Sequence, residues 1–515
     1  MMTVRISKAA KLSLMSGVAL ASLSVQAHAF LMIPGDIIIS ESTFVPNTGE
    51  AASLTVGSPI SVAGAPAAGA TGNAVATDSN LSVFQNSTVD ANFGIGAPLS
   101  LVQINPATMA QDGTLQLPVS QIVTSFSSKS EGSLYLTQNG AGITVAGYAV
   151  QDGRAPVGAL DISNASTSAT SGASSSNANG VVNRTVAVVN FNGAVSTTNF
   201  NAYSGNNPRG AILYNNTFYT VGNGNAGNTG VEAFTPGNSA TLATTANNST
   251  QIGSYSITQN GYAADKAIKD NNFRGETIYN NTLYVTKGSG SNGIDTVYQV
   301  GATGALANGA NLPANAPITI LPGFPTSLAK GTGAPSNTPF GLWFANSTTL
   351  YVSDEGTGGA ADVGLGSNAG LEKWSLVNGT WQLDYTLQNG LVGQTQTYTG
   401  LNGDGLVGTV TEEGLRDISG VVNPDGTVTI YGVTSTTDDI TGNDNGDDPN
   451  QLVAITDTLS AMTLPGGESF STLIQAPAGT VIRGVTEAAV PEPGSLALLG
   501  SGLIGFGYLR RRRAV

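Results

Sequence analysis

"NPRGAILYNNTFYTVGNGNAGNTGVEAF" (residues 207–234) and "NFRGETIYNNTLYVTKGSGSNGIDTVYQV" (residues 272–300) are two renderings of one pattern. Each opens with Arg-Gly, runs through a short apolar strand to Asn-Asn-Thr, and returns in a second strand. A Gly/Asn-rich loop then leads to a third strand. Asn tolerates the positive φ that both central residues of a type I′ turn require, so Asn-Asn between two apolar runs predicts a tight hairpin. Arg209 and Arg274 stand 65 positions apart. Recurrence at such a period, built from hairpins, predicts an array of small antiparallel sheets.

The same grammar continues on both sides. "FGLWFANSTTLYVSDEG" from Phe340 precedes a hairpin marked by Val377-Asn378-Gly379-Thr380, and "LRDISGVVNPDGTVTIYGVTS" from Leu415 precedes "NQLVAITDTLSAMTLP" from Asn450. Weaker copies open near Gly132 and Asn73. About four strands in two hairpins per copy is the pattern of a propeller blade, so the expected fold class is an all-β propeller. Six blades are expected to begin near residues 73, 132, 209, 274, 340 and 415. A seventh is expected to be split, its strand at 480–488 pairing with the segment 35–72, so that strands from both ends close the ring and leave no open edge. Length agrees with seven, because residues 30–488 divide into repeats of about 66, and six or eight blades stay open. Ser163 to Asn179 is low-complexity Ser/Ala/Asn and reads as an insertion within a blade.

Only 10% of the 515 residues are charged, and Gly is abundant at 67. That composition favours turn-rich β structure over long helices. Between residues 30 and 489 there are 12 basic and 32 acidic residues, a formal charge of −20, which excludes nucleic acid as a partner. Cys is absent and the single His is His28. Disulfides, His/Cys zinc sites and nucleophile systems with an imidazole base are therefore excluded from the body. Calcium, which takes oxygen ligands, stays open as a cofactor.

Both ends carry export features. Arg5, Lys8 and Lys11 precede the apolar run Leu12–Val25, and Ala27-His28-Ala29 is a small-residue cleavage site. Residues 1–29 thus read as a signal peptide, cut by signal peptidase after Ala29. Near the other end Pro491-Glu492-Pro493 leads into the apolar stretch Gly494–Leu509 and then Arg510, Arg511, Arg512 and Arg513. The apolar stretch predicts a short C-terminal membrane helix with its arginines on the cytoplasmic side. The prolines predict an extended, accessible junction before it.

These three parts, in this order, resemble the PEP-CTERM sorting signal of exported Gram-negative bacterial proteins, and the resemblance covers residues 489–515. It implies recognition by an exosortase, cutting near Pro491–Pro493, and only transient anchoring in the inner membrane. It implies a final location at the cell surface or in an exopolysaccharide matrix. The body, residues 30–488, is expected to act as a binding or structural module.

Candidate binding residues follow from propeller geometry. Arg209, Arg274, Arg416 and Arg483 fall at equivalent positions, where the chain enters each innermost strand. On the same face lie the polar loops between second and third strands, at 222–230, 287–293, 354–370 and 434–450. Guanidinium forks suit carboxylates and sugar oxygens, so one reading is a face for an anionic or hydroxyl-rich ligand such as a polysaccharide. The other is that these arginines pair with carboxylates such as Asp417 or Glu276 and tie blades together. Asp438, Asp439, Asp444, Asp447 and Asp448 crowd one loop and could ligate calcium, although the run lacks EF-hand spacing. No catalytic motif is present, and the expectation is a protein without enzymatic activity. The alternative is a carboxylate hydrolase of polysaccharide or phosphate esters. Adjacent pairs such as Asp354-Glu355 and Glu412-Glu413 face opposite sides of a strand, so a working pair must come from different blades.

Overall fold

Both Asn-Asn turns fold as the pattern requires. Asn215 and Asn216 have φ of 48° and 55°, and Asn280 and Asn281 have 46° and 57°, in hairpins that pair Tyr214 with Thr217 and Tyr279 with Thr282. A computed structural model describes residues 30–45, 59–60, 74–75, 95–126, 128–149, 157, 162–163, 167, 182–224, 229–237, 249–255, 271–288, 293–329, 337–359, 363, 368–399, 407–439, 444 and 446–489.

Among these residues the chain forms six antiparallel blades arranged as a propeller. From the inner strand outward, blade 1 is Thr480–Glu487, Ile37–Thr43, Leu99–Ile104 and Gln111–Gln116. Blade 2 is Leu134–Leu136, Gly142–Tyr148, Arg184–Asn190 and Val195–Phe200. Blade 3 is Pro208–Tyr214, Thr217–Gly222, Val231–Phe234 and Gln251–Tyr255. Blade 4 is Phe273–Tyr279, Thr282–Lys287, Thr296–Val300 and Ile318–Ile320, and blade 5 is Pro339–Asn346, Thr349–Asp354, Gly370–Val377 and Thr380–Leu387. Blade 6 is Val407–Val422, Thr427–Asp438, Gln451–Thr458 and Ser471–Gln475, with Thr395–Thr399 added along the start of its long inner strand.

The expected seven blades are thus six. Closure by strands from both ends occurs as expected: Ile37–Thr43 pairs with Thr480–Glu487 on one side. On its other side lies Leu99–Ile104, part of the copy expected to open a separate blade near Asn73. That copy supplies the outer half of the closing blade. The physical reason is the long connection between strands two and three of blade 1, from residue 44 to 98, which makes one blade read as two. The 65-residue spacing belongs to blades 3 and 4 and does not extend to blades with insertions.

Successive blades bury one apolar layer at each interface. Ile38, Leu99 and Leu101 of blade 1 meet Leu134 and Ile143 of blade 2. Phe200 of blade 2 meets Phe218 and Phe234 of blade 3, and Trp374 and Trp381 of blade 5 meet Val297 of blade 4. Tyr431 and Val433 of blade 6 meet Ile37 and Val102 of blade 1, which completes the ring. Near the axis the inner strands approach too closely for most side chains. A Cβ on Gly275 would stand 2.2 Å from the Phe340 carbonyl oxygen, and one on Gly484 would stand 2.6 Å from that of Gly132. This is the structural role of the glycine in the repeated Arg-Gly.

No helix among the described residues is long and apolar enough to cross a membrane. The expected C-terminal membrane helix, the signal peptide with Ala27 and Ala29, and Pro491–Pro493 with Arg510–Arg513 lie outside the described residues, as does most of the Ser163–Asn179 insertion.

Candidate functional site

The inner strands bring Arg209, Arg274, Arg416 and Arg483 to one face, as their repeat positions predict, and all four are buried. Their head groups reach across blade boundaries. Arg209 Nη1 donates to Asn272 Oδ1 and to the Phe273 carbonyl of blade 4, at 2.6 Å for the latter. Arg274 Nη2 pairs with Glu355 Oε1 at 3.0 Å, just beyond strand two of blade 5. Arg416 bridges Glu355 Oε2 at 3.3 Å and Asp444 Oδ2. Arg483 donates to Ser42 Oγ at 2.8 Å and to the carbonyls of Phe126, Ser128 and Gly446. The carboxylates they engage are Glu355 and Asp444. Asp417 and Glu276 lie elsewhere. Burial, and then the adjacent Arg274 charge, pulls Arg209 well below the usual guanidinium range. Arg209 Nε and Arg274 Nε have no hydrogen-bond partner among the described residues.

The acidic loop folds inward against this face. Asp438, Asp444, Asp447 and Asp448 are all buried. Asp444 is neutralised by Arg416 and by Lys129 Nζ at 3.6 Å, and Asp439 accepts from the Thr409 amide at 2.9 Å. Neither oxygen of Asp447 has a hydrogen-bond partner among the described residues. Burial, then neighbouring carboxylates, pushes Asp447 and Asp448 well above the carboxylate range. Among the described residues no three His, Cys, Asp or Glu side chains are arranged to hold a metal ion. Glu413 accepts from the Gly358 amide and Asp354 from Thr338 and Gly356, so both are engaged in loop structure.

A second site lies on the axis. The inner strands of all six blades enclose a cavity of about 320 Å³, with Tyr135, Tyr214, Glu276, Trp343, Asp417 and Glu487 among its lining residues. Exposure rises along the strands from Leu134, Leu342 and Val485 toward Leu136, Trp343 and Glu487. The mouth therefore opens on the first-hairpin face, opposite the arginines. Asp417 Oδ2 accepts from the Leu134 amide at 3.1 Å and the Val485 amide at 3.0 Å, which ties blade 6 to blades 2 and 1. Burial pushes Asp417 up to about 7 and Glu276 well above the carboxylate range. Both Glu276 oxygens lack a partner among the described residues. The Tyr135 hydroxyl lies beside Glu276: a Cβ on Gly210 would stand 3.0 Å from the hydroxyl and 3.1 Å from Glu276 Oε1.

Sequence reasoning placed the arginines and missed the cavity. Its wall takes one short stretch from each inner strand, and no single repeat displays it. Two signals were available: Glu276, an acid where other copies carry apolar or small residues, and Asp417, an acid where the copies at 210, 275, 341 and 484 carry Gly.

No curated protein matches the chain. Among solved structures it is similar at low level to the N-terminal domain of Nup159 (8% identity, TM-score 0.27, covering 75% of this chain and 86% of that one). A functionally unknown protein from Desulfotomaculum acetoxidans DSM 771 gives 10% identity and a TM-score of 0.28, over 75% and 96% of the two chains. The parainfluenza virus 5 hemagglutinin-neuraminidase ectodomain gives 10% and 0.33, over 71% and 76%. Residues 489–513 match the family described as the PEP-CTERM protein-sorting motif. Beyond a six-bladed body, therefore, the chain carries a PEP-CTERM sorting motif, which implies exosortase-directed export and sorting to the cell surface.

Proposed function

We propose that this protein is a surface or exopolysaccharide-matrix binding module, exported through a signal peptide removed by signal peptidase. It is held transiently in the inner membrane by its C-terminal helix and cut by an exosortase near Pro491–Pro493. The observation that carries this reading is the sorting motif at 489–513, placed directly after the strand that closes the ring. A closed propeller without a free inner edge suits life outside the cell, where no chaperone protects an exposed strand. Matrix polysaccharide is the proposed partner. Replacing Pro491, Glu492 and Pro493 by alanine tests the reading: the variant should remain in the inner-membrane fraction while the parent reaches the surface and matrix fractions. Equal distribution of the two would overturn it.

The body is proposed to work without a bound cofactor. Asp444 is already neutralised by Arg416 and Lys129, and burial pushes the Asp447 and Asp448 carboxyls up, against the ionised form that calcium needs. Melting temperatures in calcium chloride and in EDTA should agree, and a rise of several degrees in calcium would restore the calcium reading. A second function, polysaccharide hydrolysis, draws on one observation: Glu276 and Asp417 come from different blades into one cavity, both with raised pKa. Release of reducing ends that stops in Asp417→Asn would favour it over binding alone.

A further inference from the structure

The axial cavity has a one-sided charge. Its titratable lining residues are Glu276, Asp417, Glu487 and the tyrosines Tyr135 and Tyr214, and no Lys, Arg or His lines it among the described residues. Glu276 lines this space, is 1% exposed, and has no hydrogen-bond partner for either carboxylate oxygen among the described residues. A buried polar group without a partner calls for an explanation such as an ion or ligand. The rest of the wall mixes aliphatic residues and Trp343, half-buried beside the mouth, with the polar Thr137, Gln138, Thr277, Ser419 and Thr486.

Two kinds of cation could answer that charge. A calcium ion needs six to eight oxygens. Here one of the four oxygens of Glu276 and Asp417 is already spent on two backbone amides, and the volume is far larger than an ion. About 320 Å³ lies instead at the lower end of small-molecule pockets, and the hydroxyls and amide of its wall could hydrogen-bond an organic ligand. An ammonium group offers three donors, and aromatic faces attract it as well.

We propose that the axial cavity binds an amine-bearing organic ligand, such as an amino-sugar unit of a matrix polysaccharide, with Glu276 as counter-ion and Tyr135 beside it. This rests on reading the body as a binding module. Burial pushes the Glu276 carboxyl up and an ammonium ion beside it would draw it back down, so binding should release protons.

The test is calorimetry on the full-length protein with glucosamine, glucose and calcium chloride. Glucosamine should bind at least tenfold more tightly than glucose, with a heat that varies with the buffer's ionisation enthalpy. Glu276→Gln should remove the glucosamine preference, and Tyr135→Phe, which keeps the ring, should weaken glucosamine several-fold. Equal binding of glucosamine and glucose, an unchanged preference in Glu276→Gln, or displacement of glucosamine by calcium chloride would each overturn the proposal. Co-sedimentation with matrix polysaccharide separates the two levels. Matrix binding that persists in Glu276→Gln overturns the cavity assignment alone, whereas no matrix binding by the parent protein overturns the binding-module reading.

Discussion

Replacing Arg416 by methionine separates the two roles open to the buried arginines. Methionine keeps most of the aliphatic volume and removes the charge. It leaves Glu355 with Arg274 at 3.0 Å and Asp444 with Lys129 at 3.6 Å, each having lost its second cation. Removing one partner from a buried pair destabilises by about 3–5 kcal/mol, and the surviving partners place this site near 3. Unfolding entropy is about 2 cal/mol/K per residue, so over the roughly 330 described residues the expected fall in Tm is about 4–5 °C. The pH dependence adds a second check. Burial raises the Asp444 carboxyl, but Arg416 and Lys129 pull it below the usual range. A depressed carboxyl contributes stability above its unfolded value and loses it as pH falls through the folded one. The gap between parent and variant should therefore close below about pH 4. Scanning calorimetry at pH 7 and pH 3 measures both effects, with polysaccharide co-sedimentation run alongside. An unchanged Tm together with lost polysaccharide binding would refute the reasoning and make Arg416 part of a ligand face.

Other perturbations probe different parts of the ring. Gly275→Ala sets a Cβ 2.2 Å from a backbone oxygen of the next blade, which cannot swing aside. A loss of about 1–3 kcal/mol or more is expected, and wild-type melting would contradict the close approach. Deleting Thr480–Glu487 exposes an edge of Ile37–Thr43, so light scattering should report aggregation where the parent is monodisperse. Buried carboxyls at Glu412 and Glu372 are pushed up to about 8, and at Asp417 to about 7, in each case first by burial. The folded state then binds more protons than the unfolded one between about pH 4 and pH 8, so stability falls as pH rises through that window. Tm should be higher at pH 5 than at pH 8, and the reverse order would contradict those environments.

What could be read from the chain divides along locality. Asn215-Asn216 and Asn280-Asn281 announce their hairpins because the required φ is a property of the turn residues themselves. The equivalence of Arg209 and Arg274 was visible for the same reason. Their partners were not: Asn272, for Arg209, and Glu355, for Arg274, belong to the next blade and are brought in by the stacking of blades. Blade number failed where insertions stretch blade 1, since Ile37–Thr43 must find Leu99–Ile104 across a 55-residue connection. The axial cavity failed for a stronger form of the same reason, because Tyr135, Glu276 and Asp417 share space only after the ring has closed.

The account centres on a propeller that is exported, cut and displayed. Intact mass spectrometry of the protein recovered from the cell surface tests this most directly. The expected species begins at Phe30 and ends near Pro491–Pro493, without Arg510 to Arg513. A surface species that retains those four arginines would contradict it.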